Sequence, residues 1–209
     1  MTASSFRNRT RSLKSRLRAK RYFTWLWQTN ISQSVRDPEF EALPHELKCQ
    51  VNELTLLLQR DPEYALPQLE LLCRRFPHVP QLYNAIASGY GMIGDIPMQQ
   101  SWLKRMYALF PHYMFAICAY GEMLLREEKL DEFQRMFLQH LVLDNAFPPR
   151  PSYHPSEVIC FFRMWCRYFI ALGELRIAYR YYVLLCEVDP HHPQVQPLHQ
   201  LFGVEVLEA

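Results

Sequence analysis

The sequence predicts an all-α chain of stacked antiparallel helix pairs, and three observations carry that prediction. The tripeptide Phe76-Pro77-His78 returns as Phe110-Pro111-His112, an offset of 34 residues, and each copy closes one apolar segment and precedes another. Of 209 residues only 6 are Gly, while 49% are hydrophobic and 14% aromatic. That balance suits helices rather than glycine-punctuated sheets, and it excludes global disorder. When the chain is aligned on the offset, apolar side chains also fall at matching places.

The alignment sets Pro77, Pro111 and Pro190 at repeat position 32. Repeats then open at Glu46, Pro80, Met114 and Ile159, the fourth arriving 11 residues late. Position 4 holds Cys49, Tyr83, Ile117 and Phe162; position 11 holds Leu56, Tyr90, Leu124 and Phe169; position 24 holds Leu69, Leu103, Phe137 and Tyr182. Close helix approach calls for small side chains, and Ala87, Gly121 and Cys166 stand at position 8, with Ala65 and Ala178 at position 20. Gly94 and Gly173 fall at position 15, where the first helix of a pair turns back into the second and a left-handed residue fits.

The elements follow in order. Pro44 opens the first helix and Asp61-Pro62 its partner, since Pro is tolerated in a first turn. Helices are expected over residues 82–93, 96–109, 114–126 and 131–143. Pro155-Ser156-Glu157 starts a long helix to Leu172 with Ser156 as N-cap, and 174–188 closes the fourth pair. A short helix over 197–201 belongs to a C-terminal cap spanning 191–209. The late start of the fourth repeat maps to a connector at 146–156 with Pro148, Pro149, Pro151 and Pro155. Two readings of it stand open: an extended strand of chain that packs Phe147 and Tyr153 on the array, or a recognition loop.

Over residues 46–190 this pattern resembles the tetratricopeptide-repeat family. The fourth repeat carries it best, through Phe162, Trp165, Phe169, Gly173, Ala178, Tyr182 and Pro190. The first repeat departs with Asn52 and Glu53 in its first helix, the second and third with Gln99 and Phe133 at position 20, and the third ends on Asn145 instead of Pro. The resemblance implies a right-handed α-α superhelix whose first helices line a concave groove at positions 2, 5, 9 and 12. Those positions supply Gln81, Asn84 and Ser88, then Phe115, Cys118, Glu122 and Leu125, then Arg163 and Arg167. The family's carboxylate clamp of Lys and Asn followed by Lys and Arg is absent. The implied function is a non-enzymatic adaptor, scaffold or chaperone-like module that holds a peptide segment of a protein partner. Arg163 and Arg167, one turn apart, are expected to face a ligand carboxylate, and reversing both charges is expected to leave the fold intact.

Charge divides the chain into an arm over residues 1–36 and a body over 37–209. The arm carries Arg7, Arg9, Arg11, Lys14, Arg16, Arg18, Lys20 and Arg21, together with Arg36, and no acid. The other 14 Lys and Arg face all 21 acids, which leaves the body at −7. Leu13, Leu17, Phe23, Leu26, Trp27 and Ile31 give the arm an apolar side at roughly helical spacing. Four roles fit that composition: docking on the first repeat, contact with an anionic membrane, contact with nucleic-acid phosphates, or an organelle presequence.

The remaining features point away from catalysis. No GxSxG, Gly-rich phosphate loop or HExxH occurs, so neither an enzymatic reaction nor a small-molecule substrate is expected. Gly89-Tyr90-Gly91 reads as a thin helix face for close packing. No metal or cofactor is expected: His191, His192 and His199 read as a solvated terminus, and Cys160 and Cys166 lie on different faces of one helix. The 6 cysteines form no CxxC and follow no secretory signal, which places them as reduced thiols in a cytoplasmic setting. The longest uncharged run, residues 106–121, is too short to span a membrane.

Overall fold

The computed structural model of the protein describes residues 31–137 and 152–203. Among them, helix is the only extended element. A single turn, α1 (Pro38–Glu41), leads into α2 (His45–Leu57) and α3 (Pro62–Arg75), then α4 (Pro80–Met92) and α5 (Ile96–Leu109), then α6 (Met114–Arg126) and α7 (Leu130–Phe137). After the connector come α8 (Pro155–Ala171), α9 (Leu175–Val188) and the short α10 (Gln196–Phe202). From α2 to α7 each helix packs on the next, α8 packs on α9, α4 on α6, α6 on α8 and α1 on α4. The chain is thus an all-α solenoid of antiparallel pairs, in which α2, α4, α6 and α8 are the first helices.

Local chemistry sets these boundaries. The second helices α3 and α5 open on Asp61 and Asp95, whose carboxylates accept the N–H groups of Tyr64 and Met98, each at 3.1 Å. They end alike: Phe76 and Phe110 leave the helical region because a proline follows, and the next first helix starts four residues later. Starts of α3, α5, α7 and α9 each fall 16 residues after the expected repeat starts, so the late fourth repeat keeps the internal register of the others.

The turn inside each pair is a left-handed cap. Gly94 (φ 77°) and Gly173 (φ 70°) occupy it in the second and fourth pairs. In the third pair the same place holds Glu128, with φ 56°. The hydrogen bonding is the same in all three: Asp95 N–H to Tyr90 O, Lys129 N–H to Leu124 O and Glu174 N–H to Phe169 O, each closing six residues.

The close approaches fall where small residues were expected. Ala87, Gly121 and Cys166 are buried, and the Cys166 thiol donates to the Ala178 carbonyl across its helix pair at 3.4 Å. A methyl group on Gly121 would run into the Met164 sulfur and lie 3.1 Å from the Phe133 ring. One on Gly89 would lie 2.7 Å from Leu58 and 2.8 Å from Leu66, so that glycine is the thin packing face. Aromatic rings fill the interface between the third and fourth pairs: Phe133 stacks on Tyr168 at 4.5 Å and meets Trp165 edge-on.

Three expectations need correction. In the first repeat Cys49 is exposed and Leu56 is 68% exposed, while Val51, Leu54 and Leu58 are buried. The side of α2 that carries Cys49 and Leu56 corresponds to the side of α4 and α6 that meets a preceding pair, and no described helix covers it. The N-cap of α8 is His154 rather than Ser156: its Nδ1 accepts from Ser156 N–H, and Glu157 reaches back to His154 N–H at 2.9 Å. His199 is buried rather than solvated. Its Nε2–H donates to the Pro190 carbonyl at 2.8 Å and its Nδ1 accepts from the Tyr182 hydroxyl at 2.6 Å, which pins α10 to α9.

Docking of the basic arm on the first repeat, one of the four roles open to it, falls on residues 1–30, which lie outside the described residues. Ile31 pairs with Tyr153, and Ser32 N–H donates to the Tyr153 carbonyl at 2.9 Å, so residues 31–32 lie against the end of the connector that leads into α8. From there the chain passes the α5–α6 turn and reaches α4 through α1. Residues 31–43 therefore form a strap along one edge of the array. Tyr153, buried, is the aromatic of the connector that packs on the body; Phe147 and residues 138–143 of the expected third-repeat helix lie outside the described residues.

A left-handed non-glycine residue costs about 1–2 kcal/mol. Glu128→Gly should therefore raise unfolding stability by about 1 kcal/mol, and Gly173→Ala should lower it by a similar amount. Urea titrations followed by circular dichroism read both, and a destabilising Glu128→Gly would contradict the shared cap.

Candidate functional site

The first helices of the second, third and fourth pairs enclose a cleft of about 520 Å³. Asn84 and Ser88 come from α4, Phe115, Ala119, Glu122 and Arg126 from α6, and Ser156, Cys160, Arg163 and Arg167 from α8. Gln99 and Leu103 of α5 close one side, His192 and Gln194 of the α9–α10 turn another. Spacings of three and four residues put each helix's contribution on one face.

Six of the nine groove residues expected from sequence meet in this cleft: Asn84, Ser88, Phe115, Glu122, Arg163 and Arg167. The other three do not. Cys118 and Leu125 are buried in the core, and Gln81 lines a neighbouring cleft of about 490 Å³ beneath the strap. In α6 the residues that face the cleft at those levels are Ala119 and Arg126, each one position later. Wedged between α4 and α8, α6 turns positions 5 and 12 towards its neighbours.

The electrostatics differ from the sequence expectation. Arg163 and Arg167 are not free to wait for a ligand carboxylate. Both engage Glu122, Arg163 through Nε at 3.3 Å from Oε1 and Arg167 through a guanidinium nitrogen on Oε2. The Glu122 side chain is only 7% exposed, Arg163 23% and Arg167 42%. The Arg167 hydrogen bond replaces part of the carboxylate's water, and Arg163 adds an ion pair that is not a hydrogen bond, its Nε and Glu122 Oε1 both being buried without a hydrogen-bond partner. Arg126 adds a third guanidinium on the rim, where it donates to Gln99 Oε1 at 3.3 Å. Three cations against one carboxylate leave the cleft net positive. Sequence spacing could not reveal the triad, because Glu122 and Arg163 sit 41 positions apart across the connector. The pairing also corrects the expectation that a double charge reversal spares the fold: Arg163→Glu with Arg167→Glu would set three carboxylates together, the nearly buried Glu122 among them with no counter-charge.

The basic arm residues Arg7, Arg9, Arg11, Lys14, Arg16, Arg18, Lys20 and Arg21 lie outside the described residues, so the arm's contacts form no part of this site. Among the described residues no helix is long and apolar enough to cross a membrane. Compared with protein-family models, with curated proteins and with solved structures, the chain matches none.

Removing the carboxylate tests the triad. Glu122→Gln leaves two guanidiniums short of a counter-charge and should destabilise the fold by about 2 kcal/mol, less than a fully buried pair because both arginines keep some water. A chemical-denaturation midpoint equal to that of the unaltered chain would show that the triad is surface decoration.

Proposed function

We propose that the protein is a non-enzymatic interaction module of the tetratricopeptide kind, which holds an acidic, partly apolar peptide segment of a protein partner in the inner cleft. One observation carries the proposal: the first-helix face of a repeat solenoid is hollowed into a cleft that combines Phe115 and Leu103 with three arginines and a single carboxylate. A segment bearing Asp or Glu meets the excess positive charge at Arg126 and at the half-exposed Arg167, and an apolar side chain sits against Phe115. Asn84, Ser88 and Gln194 supply neutral hydrogen-bonding groups for the segment's backbone. Glu122 tunes the site: it holds the guanidiniums in place and lowers their excess charge, so that a ligand carboxylate is gripped through pre-positioned donors. Six free thiols fit a reducing, cytoplasmic setting for this module.

Fluorescence anisotropy with short labelled peptides tests the reading. Peptides of mixed Glu and Leu should bind the full chain, and peptides with Lys in place of Glu should not. Arg126→Gln removes excess charge at the rim while Arg163 and Arg167 continue to pair with Glu122. That variant should bind the acidic peptides at least about tenfold more weakly, or about 1.4 kcal/mol, with its fold retained. Equal binding of Lys-containing peptides, or undiminished binding by the folded variant, would overturn the proposal.

A further inference from the structure

Four of the six cysteines have settled surroundings. Cys166 donates to the Ala178 carbonyl, Cys73 is buried in the core, Cys186 packs against it, and exposed Cys49 lies 3.6 Å from the His45 ring on its own helix. Cys118 on α6 and Cys160 on α8 differ, because they face each other from neighbouring first helices. Cys118 is fully buried, one turn before the places where Gly121 and Glu122 of α6 meet Met164 and Arg163 of α8. Cys160 is partly exposed and lines the cleft.

The backbones are held close at this level. One turn further along both helices, Gly121 admits Met164 against the α6 backbone, and Glu122 binds Arg163. Cys118 precedes Gly121 by three residues and Cys160 precedes Met164 by four, so the two thiols occupy the adjoining rung of the same contact. A disulfide requires Cα atoms within roughly 7 Å, a spacing that a glycine-mediated approach favours.

We propose that Cys118 and Cys160 are an oxidative modification site, in which a hydroperoxide entering the cleft links the inner helices α6 and α8 by a disulfide. Cys160 reacts first, because it alone of the pair meets the cleft. Its thiolate attacks one peroxide oxygen, the O–O bond breaks, and the other oxygen leaves as water or an alcohol after taking up the thiol proton. The product is a sulfenic acid on Cys160. Burial holds the Cys118 thiol well above the usual range, so it keeps its proton until this step. Its sulfur then attacks the sulfenyl sulfur, the S–O bond breaks, and the oxygen leaves as water with the Cys118 proton. Two electrons pass from the two sulfurs to one peroxide, and no further oxidant is needed. The reaction does not depend on what the cleft binds.

The test treats the full native chain with a small excess of hydrogen peroxide, blocks remaining thiols with N-ethylmaleimide in denaturant, and maps the digest by mass spectrometry. The expected result is a cross-linked peptide pair containing Cys118 and Cys160, reversed by dithiothreitol. The same oxidation in denaturant should yield at least about tenfold less of this pair, since only the fold brings the thiols together. In Cys118→Ser, Cys160 should accumulate as a dimedone-trapped sulfenic acid; in Cys160→Ser, Cys118 should stay alkylatable. The proposal is overturned if native protein shows Cys160 oxidised to sulfinic acid beside a free Cys118, if only Cys49 reacts, or if the pair forms equally well in denaturant.

Discussion

Glu122 lies almost wholly out of water on the middle helix of the inner face, and a carboxylate in that position is stable only while guanidiniums surround it. The two that do so belong to the next pair, beyond the connector. The contact therefore joins the third and fourth repeats on their polar side, as Phe133, Trp165 and Tyr168 join them on their apolar side. It also decides the character of the cleft. Without Glu122 the inner face would present a cluster of repelling cations; with it, two arginines are held at fixed places and the remaining positive charge is directed outward. The same helix–helix approach that seats Met164 over Gly121 sets the distance at which the triad forms, so packing and electrostatics at this interface are one constraint.

The repeat was legible because it rests on backbone requirements that sequence displays openly. A proline after Phe76 or Phe110 ends a helix wherever it stands, and small residues at position 8 mark where helices cross. The first helix α2 was less legible, since its apolar positions are those of an end helix that the described helices cover on one side only. Glu128 was missed for a different reason: the left-handed cap is imposed by the two helices it joins, and here a residue without glycine's freedom accepts it. The inner face was read with an error of one residue in α6, where Ala119 and Arg126 take the places assigned to Cys118 and Leu125. Helical spacing names a face only to within its neighbours, and packing on both sides then chooses the rotation.

Contacts distant in sequence were not legible at all. The union of Glu122 with Arg163 and Arg167 joins segments on opposite sides of the proline-rich connector, and the strap runs from Tyr153 in the connector back to α4. Only the stacking of the pairs brings these partners together. The strap adds a closure that repeat arithmetic does not contain, because a segment that precedes the first pair is fastened to the connector before the last.

The central claim is that the first helices form the working face of this solenoid. Hydrogen–deuterium exchange of the full chain with and without a bound Glu- and Leu-containing peptide tests it most directly. Added protection is expected at backbone amides of α4, α6 and α8 that border the cleft, with α3 and α9 unchanged. Protection confined to α3, α5 and α9 would place the ligand on the opposite face and contradict the account.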